Sequence, residues 1–539
     1  MLARCSTASL RGLEALAVTV EVDVGPGLPT FQVVGLANTA VQEARERVRS
    51  ALRHSSFRVP QGRVVVNMAP CDLPKEGTGF DLPIALGVLL ASGQLPHGQL
   101  AGLWSVGELG LDGSLRGVCG VLSVALLAKA AGARTLLVPS LNGPEAALVE
   151  GLNVWGVNSL GDAVARLQKG SGSAGRDEAR RQARPCTRPN NAGAGRHRVD
   201  LIDVKGQMHG RRALEIAAAG GHHMLLVGPP GSGKTMLARR LAGLLPPLRR
   251  DQALEVTQIQ SVAGLLQPGN ALMNERPFRA PHHSCSGAAL VGGGAVPRPG
   301  ELALAHHGVL FLDELSEFRP GVLDLLRQPL EDGEIHLHRA RHHSRFPCAI
   351  TLVGASNPCR CGWYGDDLRE CRCTQAERRR YWGRLSGPLL DRLDLQVVMR
   401  RPQPQQLWTA SQTSKSLKPE AQSEDSIAAE DKACDQETTS AVAARVRAAQ
   451  RRIIHRNPGK LSNARVPLQD LRELLDLEAS ALALWQKALE QRCLSARAGE
   501  QILRIALTIS DLDANPTVGE TAIAEALTYR HFDLVRQER

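Results

Sequence analysis

One stretch limits the possible folds of this chain more than any other. The apolar run His223-Met-Leu-Leu-Val227 enters the octapeptide Gly228-Pro229-Pro230-Gly231-Ser232-Gly233-Lys234-Thr235 and leaves it in a segment of helical spacing, Met236–Leu245. A buried strand, a glycine-rich turn and a helix in that order belong to an α/β unit built on a parallel sheet. The spacing G-x-x-x-x-G-K-T adds chemistry to the shape. Its glycines let backbone N–H groups close around phosphate oxygens, and the start of the helix adds partial positive charge. Lys234 is expected to reach the β and γ phosphates of a triphosphate, and Thr235 to ligate Mg²⁺.

Two further apolar runs end in polar residues at the edge where such folds place ligands. Gly308-Val-Leu-Phe-Leu closes on Asp313 and Glu314. Asp313 is expected to hold Mg²⁺ through water, and Glu314 to polarise an attacking water. Ala349-Ile-Thr-Leu-Val-Gly-Ala-Ser closes on Asn357, whose amide can orient that water. Downstream, Leu389-Leu-Asp-Arg392-Leu-Asp-Leu carries an arginine in a loop. Arg392 is either a finger reaching a neighbouring subunit's γ-phosphate or a surface ion pair with Asp391 or Asp394. Arg504 and, in reserve, Arg497 lie two turns apart on one helical segment, placed to touch the γ-phosphate from within the subunit.

With 539 residues the chain exceeds one ordinary domain. Residues 1–168 mix strand and helix patterns, including one strand expected over Leu103–Leu109. Residues 169–200 are rich in Gly, Ser, Ala, Pro and Asn, with eight Lys/Arg against three acids, and are expected to be a basic flexible linker. Residues 201–402 carry the motifs above. Residues 403–440, with seven Asp/Glu against three Lys, are expected to be a disordered acidic linker. Residues 441–539 have helical spacing throughout. The net charge of +11 favours an anionic partner, of which nucleic acid is the commonest. No apolar run reaches the ~20 residues of a membrane span. A cytoplasmic location is the expectation, and the twelve cysteines are then not a disulfide framework.

Four of those cysteines cluster. Cys359, Cys361, Cys371 and Cys373 fall within fifteen residues, which suits a closed, structural Zn²⁺ site, with free thiols as the alternative. The pairs His282–His283 and His306–His307 show no third convergent ligand in sequence, so no metal is assigned to them. A backbone-supporting or DNA-facing role is expected instead.

The order of motifs in residues 201–539 resembles the magnesium-chelatase-like branch of the AAA+ ATPases. The P-loop, Arg276-Pro-Phe-Arg-Ala-Pro-His-His283, Pro299-Gly-Glu through Asp313-Glu314, and Ser386-Gly-Pro-Leu-Leu-Asp-Arg392 carry the likeness. With the N-terminal unit included, the whole chain resembles the ComM/YifB family of competence ATPases. That resemblance implies an αβα ATPase core with a helical lid, ATP and Mg²⁺ as cofactors, and a hexameric ring. It further implies work on single-stranded or branched DNA in recombination during natural transformation, in company with recombinase machinery. The ATPase core alone also permits a chelatase-type subunit driving metal insertion into a porphyrin.

The family pattern places a β-hairpin before the third motif strand. Here Glu334–Arg345 holds three Arg and four His in twelve residues. Arg339, Arg341, His342 and His343 at its tip are expected to contact DNA phosphates, the alternative being a solvated basic hairpin. The N-terminal unit, through Leu73-Pro-Lys-Glu-Gly-Thr-Gly-Phe-Asp and Val106-Gly-Glu-Leu-Gly-Leu-Asp-Gly, resembles the proteolytic domain of Lon and a domain of RadA. The alignment sets Gly79 at the serine position and Leu122 near the lysine position, so proteolysis is not expected.

Overall fold

The computed structural model describes residues 2–36, 38–96, 98–169, 200–267, 272–294, 297–339, 342–402 and 437–530. The expected linkers fall almost wholly on 170–199 and 403–436, outside the described residues. So do Arg341 and the side chains of Arg339, His342 and His343.

In the N-terminal part, strands β1 (Leu2–Arg11), β2 (Glu14–Gly25), β3 (Thr30–Val34), β4 (Arg63–Ala69) and β5 (Leu103–Ser105) join β8 (Thr135–Pro139) and β9 (Asn153–Val157). They form one seven-stranded sheet in the order β3-β4-β2-β1-β5-β8-β9. β1 and β2 form a long antiparallel hairpin around Gly12–Leu13, whereas β1, β5, β8 and β9 run parallel. Val18, Val20 and Val22 of β2 are buried in alternation, the period-two signature of a strand with one face on a core. Helix Asp81–Ala91 is buried at every position, which explains its unbroken apolar sequence. Its first residue, Asp81, takes a 2.6 Å ion pair from Arg47.

The single strand expected over Leu103–Leu109 is two. β5 stays in the sheet, while β6 (Glu108–Leu109) turns away to pair with β7 (Leu115–Arg116). Between them Gly107 donates its N–H to Gly79 O at 3.0 Å and accepts from Leu82 N at 3.1 Å, which diverts the backbone from the ladder.

The second sheet is parallel throughout. It comprises β10 (Met224–Val227), β11 (Phe278–Arg279), β14 (Val309–Leu312), β17 (Thr351–Ser356) and β18 (Leu395–Val398), in the order β11-β14-β17-β10-β18. A two-residue ribbon, β12 (Gly292–Gly293) with β13 (Arg298–Pro299), precedes β14. A hairpin, β15 (Glu334–Arg339) with β16 (His342–Pro347), precedes β17. Every residue of β10, β14 and β17 is buried, as strands covered on both faces must be, so their sequences are continuous apolar runs. The edge strands β11 and β18 escaped sequence reading because they are short or of mixed polarity.

Among the described residues from 437 to 530 lie five α-helices, Thr439–Arg456, Leu468–Leu474, Ala479–Gln491, Ala496–Leu512 and Glu520–Thr528. Val446, Ile502, Ile505 and Ile523 share one apolar cluster with Leu226, Leu237 and Val353 of the sheet layer, so the helices pack directly on the ATPase core. After the last helix, Tyr529 O accepts from Gln396 N at 2.8 Å and extends the edge at β18.

The two sheets communicate through helix Arg250–Val262. Ser261 hydrogen-bonds the buried Glu145 carboxylate and accepts from Gly120 N at 2.9 Å. Gln258 donates to Leu13 O and Ser123 Oγ, each at 3.0 Å.

Candidate active site

β10, β14 and β17 are neighbours, so the three polar strand ends expected from sequence meet at one place. The loop Gly228–Gly233 follows β10. Gly231 and Gly233 have φ of +81° and +88°, a region closed to most side chains. A Cβ on Gly228 would meet Met399 O at 2.4 Å, so the first glycine is fixed by the neighbouring backbone beyond β18. Ser232 is buried and its Oγ has no hydrogen-bond partner, an orphaned hydroxyl inside the phosphate loop. Helix Lys234–Leu244 begins there, with its free N–H groups directed at the loop.

Lys234 Nζ donates to Gly228 O at 2.7 Å, Pro229 O at 3.0 Å and Asn357 Oδ1 at 3.2 Å. Burial pushes its ammonium down to about 8, against the opposing pull of Asp313. Thr235 Oγ1 donates to Asp313 Oδ2 at 2.8 Å. A lysine, a hydroxyl and a carboxylate in this arrangement fit a nucleotide triphosphate with a divalent cation. Lys234 supplies the charge, and Thr235 with Asp313 supplies oxygen ligands.

Glu314 adopts φ +52°, an uncommon left-handed conformation for a residue with a Cβ. Its carboxylate lies 3.1 Å from His283 Nδ1. His283, whose ring centroid lies 4.1 Å from that of His282 at a tilt of 34°, therefore faces the acid expected to polarise water. Sequence reading did not identify this role. The signal available was the position of His282–His283 just beyond an unrecognised strand, β11.

Arg392 is not paired with Asp391 or Asp394. Its Nη2 lies 2.5 Å from Glu331, its Nη1 donates to Pro388 O at 2.7 Å, and its buried Nε has no partner. Arg497 reaches the same Glu331 carboxylate at 3.0 Å. Two guanidinium groups hold Glu331 well below the usual carboxylate range. Arg504 lies on the same continuous helix, Ala496–Leu512, and donates to Val466 O at 3.2 Å, with Glu500 at 3.7 Å. The structure thus joins Arg392 with Arg497 and sets Arg504 against the lid's own backbone. Asp394 instead pairs with the buried His222 at 3.2 Å.

The second histidine pair gains the partner that sequence did not show. Glu255 lies 3.0 Å from His306 Nε2 and 2.7 Å from His307 Nε2. These bonds hold the Glu255 carboxyl far below its ordinary range, and burial lowers the His306 imidazole below its usual value against the pull of Glu255. His306 Nδ1 accepts from Ala349 N at 3.0 Å, so Nε2 carries the proton and donates to Glu255. That tautomer leaves His306 Nε2 no lone pair for a metal. Of this pair, expected to be backbone-supporting or DNA-facing, the His306 ring meets the backbone at Ala349, and the His307 ring meets Glu255.

The four cysteine thiols converge. Cys359 Sγ is 3.3 Å from Cys361 Sγ and 3.6 Å from Cys371 Sγ, and Cys361 and Cys371 are 3.6 Å apart. All four sulfurs lie within 4.8 Å of one another and none forms a disulfide. The edge of a tetrahedron with metal–sulfur bonds of ~2.3 Å is about 3.8 Å, so the spacing fits a tetrathiolate site.

Comparison with known proteins now bears on this geometry. Family models described as magnesium chelatase, subunit ChlI, match residues 200–407, those for subunit ChlI of Mg-chelatase match 20–142, and the ChlI C-terminal model matches 436–530. YifB of Escherichia coli, named as uncharacterized, is 41% identical over 527 residues, covering 98% of this chain and 96% of that one. Competence protein ComM of Haemophilus influenzae is 41% identical over 521 residues, covering 96% and 95%. The chain belongs to the ComM/YifB family of magnesium-chelatase-like AAA+ proteins. Membership supports an ATPase using ATP and Mg²⁺, and joins the P-loop sheet and helical lid to one fold. Within the N-terminal part, Lon protease 2 of Bacillus subtilis is 32% identical over 148 residues, 26% of each chain. Among the described residues no helix is long and apolar enough to cross a membrane.

Proposed function

We propose that the chain is the ATP-hydrolysing subunit of a homo-oligomeric ring, a hexamer, that drives helicase or branch-migration movement of DNA. Its work is the integration of DNA by homologous recombination during natural transformation. The observation that carries this reading is the relationship, along nearly the whole chain, to a protein named for competence. The basic hairpin β15–β16, which stands immediately before the strand ending in Asn357, supports it.

In this reading Gly228–Gly233 wraps the phosphates while Lys234 neutralises them. Thr235 and Asp313 hold Mg²⁺, which when bound lowers the charge on the transferring phosphoryl group. Glu314 takes up the proton side of the attacking water and Asn357 orients it. Arg392 exchanges Glu331 for a neighbouring subunit's γ-phosphate, and Arg504 acts from the lid. Arg339, Arg341, His342 and His343 grip the DNA backbone. Cys359, Cys361, Cys371 and Cys373 hold a structural Zn²⁺.

The test is ATP turnover and strand displacement on forked, three-way and four-way junction DNA, with a porphyrin and free metal as the contrasting arm. Stimulation by branched DNA is the expected result. Stimulation by porphyrin alone, with none by DNA, overturns it in favour of a chelatase-type subunit.

A further inference from the structure

The cysteine module stands against the phosphate loop. Gly362 lies between the two cysteine pairs at φ +84°, and a Cβ there would meet Pro230 Cδ at 3.0 Å and Cγ at 3.1 Å. Its N–H donates to Cys359 O at 3.0 Å, so the residue touching Pro230 is hydrogen-bonded to a cysteine of the cluster. Cys359 is fully buried and two residues beyond Asn357, which accepts from Lys234. The module therefore meets the site from two directions.

Its far end is tied to the same place. Thr374 caps helix Gln375–Trp382, accepting from Glu377 N. Trp382 Nε1 donates to Pro358 O at 2.9 Å. Tyr381 hydrogen-bonds Ser316, two residues beyond Glu314, and Ser356 donates to Ser316 Oγ at 3.1 Å. The side chains of Asn357 and Glu314 thus sit on backbone that this helix braces.

The loop between the two cysteine pairs has little apolar burial to give it a shape. Tyr364 is exposed and Leu368 is 71% exposed. Arg369 and Arg401 lie over the Trp363 ring at 4.6 and 5.2 Å, Arg378 lies over Tyr364 at 4.3 Å, and Arg401 pairs with Asp366 at 3.6 Å. With so little apolar burial, a cross-link through the four convergent thiols would add to these contacts in fixing the loop.

We propose that a Zn²⁺ ion held by Cys359, Cys361, Cys371 and Cys373 is a working part of the nucleotide site, fixing Gly362 against Pro230 and Cys359 behind Asn357, so that metal occupancy sets ATP affinity. The proposal rests on the zinc and ATP readings above, and neither DNA nor the ring enters it. Gly362 and the cysteines are positioning residues acting through Pro230 and Asn357.

The experiment measures zinc content and affinity for a fluorescent ATP analogue, without DNA, on the full chain. The wild type is expected to hold one zinc per chain and to bind the analogue. Cys361→Ser with Cys371→Ser is expected to lose the zinc and bind about tenfold more weakly, with an unchanged circular dichroism spectrum. Gly362→Ala keeps all four thiols, so it is expected to retain zinc yet bind several-fold more weakly. Zinc-free wild type overturns the metal site. Zinc-free cysteine variants that bind ATP as tightly as wild type overturn the coupling. If the cysteine variants unfold, Gly362→Ala decides alone, and wild-type affinity in it overturns the contact argument. Zinc-loaded wild type that binds no ATP overturns the nucleotide reading on which the coupling stands.

Discussion

The two sheets of this molecule treat inherited chemistry in opposite ways. At the C-terminal ends of β10, β14 and β17, Lys234 pairs with Asn357 at 3.2 Å and Thr235 with Asp313 at 2.8 Å. In the N-terminal part, the resemblance to Lon sets Gly79 and Leu122 at the positions that Lon-type catalysis would fill. A Cβ on Gly79 would meet Val106 at 2.9 Å, and Leu122 is fully buried. Leu122 N instead donates to Glu145 at 2.7 Å, and Glu145 in turn receives Ser261 of the ATPase part. At these positions the N-terminal part offers packing and a contact to the ATPase part. A shared fold predicts packing, whereas activity follows the side chains at one site.

Lys234→Ala removes the charge that faces the phosphates and is expected to lower ATP turnover by at least ~1,000-fold, read by phosphate release. Turnover near wild type would leave the two sheets equally inert. Arg392→Ala is expected to keep nucleotide binding and lower turnover by roughly 1,000-fold, in the range of arginine fingers supplied by a neighbour. Because Glu331 is shared, Arg497→Ala is the companion control, with a smaller loss. Normal turnover in the Arg392 variant removes the finger assignment. His283→Ala is expected to lower turnover roughly tenfold with little change in nucleotide affinity, since it orients Glu314 and meets no phosphate in this reading.

Lys234 also makes nucleotide binding depend on pH. Its ammonium is held near 8 by burial, below the ordinary lysine value of 10.5. The protonated form binds phosphate, so affinity is expected to be level below pH 8 and to fall by up to tenfold per unit above it. Bound phosphate favours the ammonium, so binding above pH 8 takes up a proton. Titration of ATP-analogue affinity from pH 7 to 9.5, with proton uptake followed calorimetrically, checks both signs. A flat profile across that range means that Lys234 is not the phosphate ligand.

How much of this was legible in sequence follows from how local each feature is. The phosphate loop, Asp313–Glu314 and Asn357 each lie at the end of a run with one periodicity, so the chain itself announces them. β11 and β18 are two and four residues long and their pairing comes from the sheet, so no window of sequence could reveal them. The Glu331 bridge joins Arg392 and Arg497 across 61 and 166 residues of chain, and Glu255 reaches His306 across 51. Such contacts depend on how the helices dock. The split of Leu103–Leu109 has the same origin, because the bonds that bend Gly107 come from Gly79 and Leu82. The cysteines were legible as a cluster, but their place against Pro230 was not, since Gly362 meets a loop 132 residues earlier in the chain.

The contact between the two sheets passes through Glu145 and Ser261. Glu145 is only 4% exposed, and burial raises its carboxyl above the ordinary range even though Ser261, Leu122 and Asn142 all donate to it. Ser261→Ala removes one donor and leaves the acid buried with two, a change worth about 1–3 kcal/mol. The loss falls on the contact between the sheets, so the N-terminal part is expected to release first in urea, giving an early transition followed by tryptophan fluorescence. Since folded Glu145 has a raised value, protonation stabilises the contact, and the defect is expected to shrink as the pH falls below the raised value and to grow above it. ATP turnover at neutral pH is expected to stay within about twofold of wild type, because Lys234, Asp313 and Asn357 stand on other elements than the helix that carries Ser261. A Ser261→Ala variant that unfolds in one step at the wild-type urea midpoint would show that the N-terminal sheet is not seated through Glu145, and the contrast drawn between its lost chemistry and its new contact would fail at that point.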